Sequence, residues 1–167
     1  DNLPTQMGNK TDCSVLQFVL EYGDTYQPWR DDFPEDQHIK RYDFTAERKF
    51  MATVIREKGL YRMYVKGAPE ILLEQCVSVD MGTEEHKEFG KIEKEQLLNE
   101  VIDPMQSEGF RTLCLAYKDF PAEGKRLFKL NQISHCQNNQ INLCQNNLLK
   151  NQFLKELQEV LRIMIYM

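Results

Sequence analysis

The chain has 167 residues, 41% hydrophobic and 28% charged, with a formal net charge of −5. That is the composition of one ordinary globular domain. The acidic balance excludes the basic footprint of a nucleic-acid binder, and no apolar run approaches the roughly 18 residues that span a bilayer.

Five cysteines, an odd number without a Cys-x-x-Cys pair, point to reduced thiols in the cytosol. Asp1-Asn2-Leu3-Pro4 carries neither an initiating Met nor signal-peptide character, so the chain is expected to be an internal piece of a longer protein. Thr11 is the expected cap of a first helix over residues 12 to about 22. Val15, Leu16, Phe18, Val19 and Leu20 supply its buried side, and Gly23 stops it. Asp12 falls in the first turn, where the positive helix end favours a carboxylate. Residues 26–36, with prolines at 28 and 34, read as a short helix or irregular link, and the single tryptophan, Trp29, is expected in the core.

Residues 42–65 read as extended chain, tight turn, extended chain. Met51, Val54 and Ile55 suit the outgoing strand, Lys58-Gly59 is the turn, and Leu60, Tyr61, Met63, Tyr64 and Val65 return. Phe44 and Lys49 lie at odd spacing, so on a regular strand they would face opposite sides. They share one pocket only if the chain bends between them, for instance at residues 45–48. Glu47 and Arg48 are expected on a solvated face. Lys66 ends a largely apolar strand, where partial shielding strengthens the field of its charge. Gly67 would let the backbone approach a ligand closely. Pro69 suits the first turn of a helix over residues 68 to about 77 that buries Ile71, Leu72 and Cys76. An aromatic face beside two ammonium groups suits a purine with a phosphate tail: the ring stacks on the base, and the lysines act as point charges on phosphate oxygens.

Residues 81–90 form a polar connector in which His86 is expected to be solvated. Residues 91–107 read as one amphipathic helix, with Leu97, Leu98, Val101, Ile102 and Met105 on one buried stripe. Pro104 should bend it and Gly109 should cap it. Residues 110–117 are expected as a buried strand. Arg111 stands at its start, where a guanidinium fork serves either a surface ion pair or two phosphate oxygens at once. Beyond Phe120 the character changes. Of the 22 residues from Asn131 to Gln152, 12 are Asn or Gln, a low-complexity signature. His135, Cys136 and Cys144 give a weak metal signal there. Residues 153–167 are apolar at helical spacing.

Six separate blocks occur in one order: Gly8-Asn-Lys-Thr-Asp-Cys-Ser-Val, Asp24-Thr-Tyr-Gln-Pro28, Phe44-Thr-Ala-Glu-Arg-Lys49-Phe-Met51, Tyr61-Arg-Met-Tyr64 running to Lys66-Gly-Ala-Pro-Glu70, Val101-Ile-Asp-Pro-Met105, and Glu108-Gly-Phe-Arg-Thr-Leu-Cys. Together they resemble the nucleotide-binding domain of P-type ion-pumping ATPases, and the first block narrows the likeness to plasma-membrane calcium pumps. The resemblance covers about residues 3 to 121. It implies an α+β fold, an antiparallel sheet flanked by helices, incomplete at both ends. It implies an ATP site, with magnesium brought in as Mg-ATP. In it Phe44 stacks on adenine, Asp12 accepts from the adenine amino group, and Lys49, Lys66 and Arg111 serve the phosphates. Gly67, Thr112 and Leu113 line the same cleft. At Asp12 the family more often carries Glu, one methylene longer. The implied partners are the phosphorylation and actuator domains of a pump, on the cytoplasmic side of the plasma membrane.

The expected organisation is a nucleotide-binding unit over residues 1–124, an Asn/Gln-rich segment over 125–152 and an amphipathic helix over 153–167. In such pumps ATP reaches an aspartate within Asp-Lys-Thr-Gly-Thr on another domain, a sequence not found in these 167 residues. The chain alone is therefore expected to bind ATP without hydrolysing it or moving calcium. The other reading from sequence is a truncated interaction module that uses its last helix to pair with a partner.

Overall fold

The computed structural model describes residues 7–21, 25–80, 86–121 and 141–144. Helix α1 (Lys10–Glu21) opens the described part. Its cap is Asn9 rather than Thr11, because the Asn9 Oδ1 accepts the Thr11 N–H at 2.8 Å. Asn caps at least as well as Thr, and the helix starts correspondingly early. A short helix α2 (Gln27–Asp32), with Pro28 in its first turn, and a 3-10 turn (Glu35–Gln37) lead to strand β1 (Lys40–Tyr42). Trp29 is only half-buried.

Strands β2 (Phe50–Glu57) and β3 (Leu60–Gly67) form the predicted hairpin. Lys58 and Gly59 turn it with φ of 48° and 81°. Positive φ at both central residues matches the right-handed twist of the strands on either side. Helix α3 (Pro69–Gln75) follows the Lys66-Gly67 corner and is shorter than expected; Cys76 belongs instead to β4 (Cys76–Asp80), which pairs with β5 (His86–Glu88).

The single helix expected over residues 91–107 is three pieces: α4 (Lys91–Leu97), a π-helical turn (Leu98–Ile102) and α5 (Asp103–Ser107). Pro104 lies in the first turn of α5, where it lacks a donor but causes no clash. The wide turn rotates the apolar stripe. Ile102 stays buried and Leu97 and Leu98 pack on the core, while Val101 and Met105 are exposed. Gly109, at φ 89°, ends α5. The Phe110 N–H returns to the Met105 carbonyl at 3.0 Å. Residues 110–113 are consequently an irregular bridge, and β6 runs from Cys114 to Pro121, later than the sequence suggests.

Among the described residues seven strands are ordered β1-β2-β3-β6-β7-β4-β5, where β7 is Ile141–Cys144. All pairings are antiparallel except β4 with β7. This is the α+β sheet flanked by helices that the resemblance implies. Strand β7 falls inside the Asn/Gln-rich stretch, for which the sequence offered no element. The expected stop at Gly23, the side chain of His86, the Cys/His signal at 135–144 and the helix over 153–167 lie outside the described residues and side chains. Among the described residues no helix is long and apolar enough to cross a membrane.

Alternation along β2 and β3 sends side chains to two cores. Phe50, Ala52, Val54, Met63 and Val65 face α3 through Leu72 and Leu73. Met51, Ile55, Tyr64 and Tyr117 face the other way, with Phe33 and Leu115 packed on them. On that second face Arg62 grips Asp119 with two hydrogen bonds of 2.6 and 2.7 Å. Its guanidinium also lies 4.5 Å from the centre of the Tyr117 ring.

Tyr64 is 1% exposed and donates to Glu57 Oε2 at 2.9 Å. Burial, then the Glu57 carboxylate, push its pKa up from 10.0. Above pH 10 the unfolded chain loses this proton while the folded chain keeps it, so the stability present below that pH is lost as pH rises. Urea midpoints should fall from pH 9 to 11, and Tyr64→Phe should flatten that slope.

Candidate functional site

The turn at residues 43–49 resets the strand alternation. The Lys49 N–H donates to the Thr45 carbonyl at 2.8 Å, and the Arg48 N–H donates to Thr45 Oγ1 at 3.2 Å. Lys49 itself takes φ 58°, a left-handed conformation that costs a lysine on the order of 1 kcal/mol. The bend between Phe44 and Lys49 that a shared pocket requires is therefore present, and both side chains line one cleft. Arg48 does not lie on a solvated face. It is half-buried, donates to the Asp43 carbonyl and lies 5.8 Å from the centre of the Phe50 ring, so it clamps the turn.

The cleft has a volume of about 920 Å³. The start of α1, the 43–49 turn, the β3–α3 corner and the 109–113 bridge enclose it. All eight residues singled out from the sequence, Asp12, Phe44, Lys49, Lys66, Gly67, Arg111, Thr112 and Leu113, line it. Phe44 is 58% exposed, unusual for so large an apolar ring. Thr112 Oγ1 accepts from Gln106 Nε2 at 2.9 Å, which ties the bridge back to α5.

Lys66 shares its face of β3 with Tyr64, the side on which α1 packs, and is 3% exposed. Its ammonium donates to Asp12 Oδ1 at 2.5 Å. A buried ammonium needs such a partner, so the pair forms a neutral, polar floor to the cleft. Lys49 and Arg111 are exposed and bring two cations to its rim. Gly67 has a reason in the fold itself. A Cβ there would stand 2.4 Å from Phe50 Cβ and 2.6 Å from the Lys49 carbonyl oxygen. The close approach is to the chain's own turn, which the Ala68 N–H secures by donating to the Lys49 carbonyl at 3.0 Å.

The sequence reading missed three contributors. Asp43 and Glu70 bring carboxylates to the cleft, and Phe110, 60% exposed, adds a second aromatic. Glu70 stood in a quoted motif, but only the fold shows its carboxylate 3.8 Å from the Lys49 ammonium.

The family model described as P-type ATPase, cytoplasmic domain N, matches residues 2–152. Plasma membrane calcium-transporting ATPase 3 of Rattus norvegicus is 43% identical over 121 residues, 72% of this chain and 10% of that protein. Plasma membrane calcium-transporting ATPase 2 of Oreochromis mossambicus is 44% identical over 119 residues, 71% of this chain and 11% of that protein. Plasma membrane calcium-transporting ATPase 1 of Homo sapiens is 42% identical over 121 residues, 72% of this chain and 10% of that protein. The chain thus spans about a tenth of the length of the curated relatives it matches. The hairpin, the corner and the bridge that build the cleft all lie within the matched region, and the chain belongs to the family of P-type ATPase cytoplasmic N domains.

Proposed function

We propose that the chain binds ATP in this cleft and positions it for transfer to an aspartate on another domain of a calcium-transporting pump. The observation that carries the reading is the exposed ring of Phe44 in a cleft whose floor is a closed ion pair and whose rim carries two exposed cations, Lys49 and Arg111. The base stacks on Phe44. Asp12 on the floor accepts from the adenine amino group while it keeps Lys66. Lys49 and Arg111 hold phosphate oxygens, and magnesium enters as the nucleotide's own counter-ion, in Mg-ATP.

The role is binding and orientation, which make transfer effectively intramolecular once the domains meet. The phosphorylated aspartate, the actuator domain and the ion path belong to the rest of the pump, and this chain alone binds without hydrolysis. The nucleotide-binding unit is residues 1–124 completed by β7. The remainder of 125–152 and the segment 153–167 are accessory to it. The pump's calcium transport and its place on the cytoplasmic face of the plasma membrane belong to the same proposal.

Calorimetric titration of the full 167-residue chain with ATP, with and without magnesium, tests it. Affinity between about millimolar and micromolar is expected, roughly 4–8 kcal/mol. Phe44→Ala should weaken binding about five- to a hundredfold, the worth of one base stacked on an aromatic ring. A folded chain that takes up no nucleotide would overturn the reading.

A further inference from the structure

We propose that Glu70 sets the affinity of the cleft by holding Lys49 in an ion pair that an incoming phosphate oxygen must displace. The inference rests on the nucleotide reading above and adds a residue that works against the ligand. Lys49 Nζ lies 3.8 Å from Glu70 Oε1, the two side chains are 52% and 48% exposed, and both line the cleft.

The pair is held together from below. The Lys49 carbonyl accepts the Ala68 N–H at 3.0 Å, and Ala68 is the cap of α3, in whose first turn Glu70 sits. The backbones that carry the two charges are thus fastened to each other. Lys49 has a second constraint in its left-handed backbone, itself hydrogen-bonded to Thr45. Its ammonium works within the arc that Glu70 reaches.

The other two cations of the cleft behave differently. Lys66 is buried against Asp12 at 2.5 Å, a short charged hydrogen bond of the strong kind. Arg111 is exposed and has no ion-pair partner among the described residues. Lys49 is therefore the cation that changes partner when a phosphate arrives. Its present pair is long and solvated, weak enough to exchange. A carboxylate in the first turn of α3 also suits the positive helix end. That role is indifferent to the presence of phosphates on a ligand, so the ligand series below separates the two.

The experiment titrates the full chain, Glu70→Gln, Lys49→Ala and the double variant with ATP and with adenosine, and records thermal midpoints to verify folding. Glu70→Gln keeps the shape and removes the charge. It should tighten ATP about two- to fivefold, the worth of releasing Lys49 from one exposed ion pair. Adenosine, which has no phosphate, should bind as before. In the Lys49→Ala background the same substitution should change ATP affinity by less than about twofold, because the competition has lost its object. Unchanged or weaker ATP binding in Glu70→Gln overturns the proposal, as does a gain that persists in full without Lys49. If neither adenosine nor ATP binds the original chain, the nucleotide reading falls and this inference falls with it.

Discussion

Gly67→Ala is expected to destabilise the fold by about 3 kcal/mol, a large effect for the addition of one methyl group. The added Cβ would lie 2.4 Å from Phe50 Cβ, 2.6 Å from the Lys49 carbonyl oxygen and 2.7 Å from Phe50 Cα. None of these is the movable end of a flexible side chain. Phe50 is 5% exposed and pairs directly with Gly67 across the β2–β3 ladder. Relief would require the strands to part at their cleft end. That would stretch the bond from the Ala68 N–H to the Lys49 carbonyl and loosen the turn that aims Lys49. The midpoint of urea unfolding should fall, and ATP affinity should drop with it although Gly67 offers a ligand no side chain. A midpoint equal to that of the original chain would mean that the strands stand further apart than described.

Lys66→Ala should be the most damaging single change for ligand binding. It removes the ammonium from the floor and leaves the Asp12 carboxylate facing the cleft alone. An unmatched anion next to an incoming polyanion repels it, and juxtaposing like charges costs several kcal/mol. ATP affinity should therefore fall by about thirtyfold or more. Stability should fall less, by roughly 1–3 kcal/mol, because Asp12 retains 26% exposure and water can solvate part of its charge. Asp12→Asn combined with Lys66→Met, neutral on both sides, should recover most of the thermal midpoint and most of the affinity lost to the stranded carboxylate. Affinity that stays low in that variant would show that the Lys66 ammonium itself meets the ligand.

The hairpin and the corner beside the cleft were legible in the sequence because local chemistry dictates them, whereas Asp12, Thr112 and Leu113 entered through the family resemblance. Lys58-Gly59 specifies the hairpin turn, and Pro69 specifies the start of α3. At their odd spacing Phe44 and Lys49 could share a pocket only across a bend, and Thr45 and Arg48 supply it. What escaped depends on contacts between distant residues or on competition among near-equal options. Asn9 and Thr11 are comparable caps, so capping preference alone does not choose between them. The π-helical turn has no distinctive residue. It moves Val101 and Met105 off a stripe that simple periodicity places in the core. The start of β6 is set by where Cys114 meets Gly67 on β3, a long-range register. Arg48 has no apolar pattern around it and is tied down by a carbonyl five residues earlier. Strand β7 is the clearest case. Ile-Asn-Leu-Cys is too short and too polar to announce a strand, and it forms because β6 and β4 both offer it an edge.

That strand also orders events during synthesis. The ladder β1-β2-β3-β6 is complete in principle once Pro121 has left the ribosome. The β4–β5 pair has been made by then, yet among the described strands its hydrogen bonds reach the rest of the sheet only through Ile141–Cys144. A nascent chain therefore carries two half-sheets with facing unpaired edges until its last described strand emerges to join them. Such edges are the sticky surfaces of partly made β proteins. Substitutions in this four-residue strand should accordingly be felt first in the yield of soluble protein, and only afterwards in what the finished domain binds.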